Sequence, residues 1–296
     1  MKTFVLRTIT LSMFVGASVF ASVPLPSHHV VGHSASRAAA RNTVQALERY
    51  TLASPPAPGR IAQVARSLEQ LDASGRPALL ELVGRLAADS RIDRATERAR
   101  VALVAGALQS LAKAPDDDAV ELAKTVLSAD ERSQTILDAA AVVLGRRANG
   151  NDVVALVAIA DDPGNPQRES AALTGLGHAR VAASLRYLAS RLRRGGAQSA
   201  KLADSAAFAG SSWAWEALGP SRAAEGAGLR TELIDALVDA WPNADAATRM
   251  VIGRSLVVID ANLAASRLGE LDGRVAAPLR AELDELQKRV TESRAR

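Results

Sequence analysis

The sequence predicts an all-α protein: an α-solenoid of about six stacked helical hairpins with a capping C-terminal helix. Three observations predict it. Aromatic residues make up only 3% of the 296-residue chain, and Phe4, Phe14 and Phe20 account for three of the four Phe. A core without large rings must be built from Ala, Leu and Val, whose small side chains let helices approach closely. From Ser36 onward, apolar residues recur at the three- and four-residue spacings of one helix face. Finally, a Leu that closes a small-residue helix, followed by a turn and a second Leu/Val helix, returns again and again along the chain.

The N-terminal stretch reads as a secretory signal over residues 1–21. Lys2 and Arg7 supply the positive region, Thr8 to Phe20 the apolar region, and Val19 and Ala21 the small residues before a cut. Ser22 is then the expected first residue of the mature chain. The rival reading, an uncleaved anchor, needs about 20 apolar residues, more than this run offers. No later stretch is apolar enough to span, so no membrane insertion is expected after cleavage. The expected location is periplasmic or secreted, in a bacterium.

Losing Lys2 and Arg7 halves the formal net charge of +4. The high pI of 9.8 is then no argument for nucleic acid, which is not expected as a partner. The absence of Cys excludes disulfides, thiolate metal sites and a Cys nucleophile.

Residues 22–35 hold two prolines and no periodicity, and read as a flexible leader. The repeat domain is expected over 36–296. "TVQALERY" is helical, "SPPAPG" (54–59) breaks the chain, and "RIAQVARSLEQL" resumes with Ile61, Val64 and Leu68 on one face. Asp116, Asp117 and Asp118 suit a helix start. Ser128 to Glu131 reads as a capping box, Asn165-Pro166 as an N-cap followed by a first-turn proline, and Pro242-Asn243 as the junction of two helices. "VVALVAIA" (153–160) has a strand-like composition, but its Ala content and helical neighbours favour helix.

Self-comparison places the recurring Leu at Leu68, Leu108, Leu144, Leu176, Leu218 and Leu256, with spacings between 32 and 42 residues. "DAAAVVLGRRANGNDVVALVAIA" and "ESAALTGLGHARVAASLRYLASRL" superpose in their first helices. Gly145, Gly177 and Gly219 follow their leucines, where a left-handed helix end suits glycine. Each hairpin has an apolar face that only its neighbour can cover. At the C-terminus, Leu279, Leu283, Leu286 and Val290 share one face and charged residues the other, as a terminal cap requires.

The segments around 137–192, through "AAAVVLG" and "SAALTGLG", resemble HEAT-type repeats, particularly the short bacterial form of phycobilin-lyase-like proteins. Fainter copies extend the resemblance over roughly residues 58–290. Tetratricopeptide repeats fit less well, because the period wanders. The resemblance implies an α-solenoid and protein binding, and it carries no catalytic residues.

The search for chemistry finds no catalytic site, no metal site and no cofactor motif. His28, His29 and His33 cluster in the leader without a carboxylate. His178, the one histidine of the repeats, follows Leu176-Gly177 at a helix end, where an imidazole can meet terminal carbonyls. Asp161-Asp162 and Asp116 to Asp118 lack the alternating ligands of a calcium loop and read as caps.

Two stretches are candidate binding surfaces. On the helix at 180–194, Arg180, Ser184, Tyr187, Arg191 and Arg194 form a stripe that suits an acidic partner, although it also fits an ordinary solvated face. Residues 195–228 hold six of the 20 Gly and two of the three Trp. Trp213 and Trp215 lie two apart, so a helix points them to different sides. The segment reads as a recognition loop or as a degenerate repeat patched by rings. The expected function is a non-enzymatic, exported scaffold or adaptor for protein or peptide. The alternatives are an enzyme or cofactor-handling lyase-like protein, and a structural part of an envelope assembly.

Overall fold

The computed structural model describes residues 33–53, 58–71, 73–87, 94–271, 273 and 275–294. The expected signal and most of the leader lie outside them, as do residues 54–57 of the "SPPAPG" break and the side chain of Ile61. The only regular structure among the described residues is helix, with no strand. The helices are α1 (His33–Ala53), α2 (Pro58–Glu69), α3 (Arg76–Ala87), α4 (Arg94–Leu111), α5 (Asp117–Ser128), α6 (Gln134–Arg147), α7 (Gly150–Ala160), α8 (Pro166–His178), α9 (Ala182–Arg194), α10 (Ser199–Gly210), α11 (Ser212–Glu216), α12 (Pro220–Ala240), α13 (Ala246–Gly269) and α14 (Ala277–Arg294). The first helix therefore begins at His33, inside the stretch expected to be leader.

Helix ends follow from local chemistry. Asp116 caps α5 by accepting from the Ala119 amide at 2.9 Å. Asn165 caps α8 through the Gln167 and Arg168 amides, with Pro166 in the first turn, where its missing N–H costs nothing. Asp245 caps α13 through Thr248. Within α13 the backbone leaves helical geometry at Asp260, whose carboxylate accepts from the Asn262 and Leu263 amides and starts the second segment.

Three sequence expectations are corrected. Ser128 to Glu131 is no capping box, because Ser128 is the last residue of α5 and α6 starts after Ser133. Glu131 instead accepts from the Ser133 amide and pairs with Arg100 on α4. Gly145 and Gly177 are not left-handed ends: both lie inside helices, and the left-handed residue after α6 is Ala148, at φ 45°. Asp161 follows the C-terminal end of α7 rather than opening a helix.

The core is a single continuous cluster running from Val44 to Val290. Its spine consists of alternate helices: α2 packs on α4, α4 on α6, α6 on α8, α8 on α10, and α10 on α13. Leu68, Leu108, Leu144, Leu176 and Leu256 lie on these helices, each with no exposed surface. Leu218 breaks the series: it follows the one-turn α11 and is 47% exposed. The fifth spine helix is α10, which ends at Gly210, so the Leu at 218 was a sequence match without the packing. Helix α14 lies on α13, with Leu283, Leu286 and Val290 buried and Glu282, Asp284, Glu285, Lys288 and Arg289 exposed. No helix among the described residues is long and apolar enough to cross a membrane.

Candidate functional site

The 195–228 segment is mostly helical. It comprises a glycine turn at Gly195 and Gly196, then α10, α11 and the start of α12. The two tryptophans divide as their spacing requires. Trp215 is fully buried; its indole N–H donates to the Ala209 carbonyl at 2.8 Å. Gly226 on α12 lies under the ring, where an added Cβ would come within 2.5 Å of a ring carbon. Trp215 therefore locks α11 onto α10 and α12. Trp213 points outward and is 62% exposed.

Trp213 is not isolated. Its ring meets Phe208 edge-on at 6.4 Å between centroids, and Phe208 packs on His178 at 4.1 Å. The Arg180 guanidinium lies over the opposite part of this cluster, 4.9 Å from the Phe208 centroid. Together these side chains line a groove of about 540 Å³ that runs from Arg146 at the end of α6 to Leu218. The helix ends make it: α6, α8 and α10 stop at successive positions along the spine, and each leaves its last side chains over the gap.

The groove is cationic. Lys113, Arg146, Arg147, Arg180 and Arg222 line it, and no carboxylate does. Arg147 pairs with Asp117 at 2.5 Å and Arg222 with Glu225 at 2.6 Å. Among the described residues, Arg146 and Arg180 have no carboxylate partner. Arg146 reaches only the Ala112 carbonyl, at 3.5 Å, and Arg180 only the Gly177 carbonyl and the Phe208 ring. Burial, aided by Arg146, pulls the Arg180 pKa down to about 10, which still leaves it charged at neutral pH. Burial also pulls His178 down to about 4, with Arg146, Arg180 and Lys201 adding to the shift. The imidazole is therefore neutral, and its contact is the Phe208 ring rather than the helix-end carbonyls expected from sequence.

The stripe on α9 does not form one surface. Ser184 is buried and donates to the Leu176 carbonyl at 2.6 Å. Arg180 precedes the helix and turns into the groove. The Tyr187 hydroxyl donates to Asp161 at 2.8 Å, and burial together with that bond raises its pKa. Arg191 donates to Glu169 at 2.8 Å. The acids that Tyr187 and Arg191 engage belong to this chain and tie α9 to α7 and α8. Arg194 is exposed and has no ion pair among the described residues.

Sequence reasoning singled out Trp213 and missed Phe208, Arg146 and Arg180 as its companions. One signal was available: Phe208 is the only Phe beyond Phe20. No family model matches the chain, and no curated protein matches it.

Proposed function

We propose that this chain is an exported, non-enzymatic α-solenoid of HEAT-like hairpins that binds protein or peptide as a scaffold or adaptor. The solenoid reading is supported by the succession of alternate helices from α2 to α13, each covering the apolar side of the one before. The same logic assigns α1 and α14 as end caps. Export to the periplasm or medium rests on the N-terminal signal pattern.

The single observation that carries the binding reading is the exposed ring of Trp213, set beside Phe208 in a groove rimmed by arginines. Exposed Trp with Arg is the composition of an interface anchor, and large rings are scarce elsewhere on this surface. Tyr187 and Arg191 act as internal struts, so the partner meets the Trp213 side. An enzyme would need an acid–base pair or an activated nucleophile here. The groove offers a neutral imidazole with no carboxylate to orient it.

A photo-crosslinking side chain placed at position 213 tests the site. The expected result is a protein adduct from cell envelopes at 213, and none at positions 154 or 250, whose Val154 and Met250 are also exposed but lie elsewhere. Equal labelling at all three positions, or none at 213, refutes the site. Small-angle scattering tests the solenoid, which should give a radius of gyration well above the ~19 Å of a compact chain of this length.

A further inference from the structure

We infer that the groove between Arg146 and Trp213 takes a carboxylate-bearing peptide: an acidic side chain seats on Arg180 and Arg146, and an adjoining apolar side chain seats on Trp213 and Phe208. This inference rests on the docking reading above and names the chemistry of its partner.

The argument starts from an imbalance. Elsewhere on the described surface, several arginines that reach a neighbouring helix find acids: Arg249 pairs with Glu282 at 2.7 Å, Arg267 with Asp235 at 2.8 Å, and Arg41 with Glu81 at 3.0 Å. The groove beside Trp241 is neutralised in the same way by Glu282 and Glu285. The Trp213 groove differs from these. Five cations and no acid line it; Arg147 and Arg222 have Asp117 and Glu225 as partners, but Arg146 and Arg180 have only carbonyl and ring partners. Like charges held together in a partly desolvated site raise the free energy of the empty groove, and an anion lowers it. A guanidinium pair is suited to a carboxylate, which it can engage through two parallel N–H donors.

The rest of the lining selects among anions. Trp213, Phe208 and Leu218 are the large apolar side chains exposed here, and a bare inorganic ion would leave them uncovered. A nucleic acid strand needs a long cationic track, whereas these cations are confined to one groove on a nearly charge-balanced chain. A peptide with Asp or Glu next to a Leu, Ile or aromatic residue satisfies both halves.

The test uses a random heptapeptide library displayed on phage and selected on the immobilised full-length mature chain. The expected winners carry Asp or Glu beside an apolar residue. A synthetic winner should blue-shift the Trp213 emission, since Trp215 and Trp241 are already buried. Arg146→Gln, Arg180→Met and a Glu-to-Gln change in the peptide should each weaken binding about tenfold or more. Combining Arg146→Gln with the peptide change should add little, because both remove one interaction. Arg146 is exposed, so its variant stays informative if Arg180→Met does not fold by circular dichroism. Neutral or basic winners that depend on Trp213 overturn the acidic inference and leave the docking site standing. Acidic winners indifferent to Trp213→Ala and Arg146→Gln overturn both. If inorganic phosphate or a thymidine oligonucleotide binds while no acidic peptide is enriched, the groove belongs to another anion and the inference falls.

Discussion

An added Cβ on Gly145 would stand 2.0 Å from the carbonyl oxygen of Gly175. Helices α6 and α8 therefore touch backbone to backbone at this pair. The contact is reciprocal, since a Cβ on Gly175 would meet the Ala141 carbonyl at 2.5 Å. Both glycines lie on core helices, and the crossing is close because neither carries a side chain there.

Gly145→Ala should destabilise the protein by about 3 kcal/mol, because the backbone on both sides cannot yield as a side chain would. Gly84 on α3, with nothing within 4 Å of an added Cβ, is the control. Gly84→Ala should stabilise by about 0.5–1 kcal/mol through helix propensity. Urea unfolding midpoints at constant slope measure both.

Leu176→Ala should cost about 2–5 kcal/mol by leaving a void between α6, α8 and α10. Leu218→Ala should cost under about 0.5 kcal/mol, since that side chain already faces solvent. Equal costs would mean that Leu218 is packed as the repeat alignment has it.

The Arg100–Glu131 pair is bidentate, at 2.8 and 2.9 Å, and both residues are buried. Burial opposes the charge on Glu131, but Arg100 and the Ser133 amide outweigh it and hold the carboxyl below its ordinary value of 4.5. Its stabilisation is present above that pH and is lost as pH falls through the depressed folded value. Glu131→Ala leaves Arg100 with Glu97 and the Leu86 carbonyl as its partners and should cost about 1–3 kcal/mol. Thermal melts from pH 7 down to pH 2 should show a shallower acid slope in the variant.

His178 has the opposite linkage to a paired histidine. Its folded pKa of about 4 lies below the ordinary 6.5, so the unfolded chain takes up the proton first. Stability is unaffected above that ordinary value and falls as pH drops toward the folded one, by up to about 3 kcal/mol. Arg146, Arg180 and Lys201 face it and add to the shift. His178→Leu should flatten this part of the profile, and the difference between the two proteins' melts across that range isolates the effect from the carboxylates. An unchanged slope would mean that the imidazole is solvated.

Helix class, the burial of most of the recurring leucines and the apolar face of the C-terminal helix were legible in the sequence because each depends on periodicity along one helix. So were the Asn165 and Asp116 caps, which join residues three apart or fewer. The misreadings share a cause. Ser128 to Glu131 has the letters of a cap, but the carboxylate's strongest partner, Arg100, lies 31 residues earlier. Tyr187 and Arg191 look outward on a helical wheel, and only the fold brings Asp161 and Glu169 to them. The groove is the extreme case: Arg146, His178 and Phe208 sit about 30 residues apart, at the ends of three different helices.

By itself, the sequence determined that this chain makes helices with one oily side and that each helix must be covered by another, because local spacing sets which side is apolar. Only the tertiary structure decided which charges meet. Ion pairs and ring contacts depend on how far each helix runs before it stops and on the side toward which its last turn faces, and those are set by the helices packed against it.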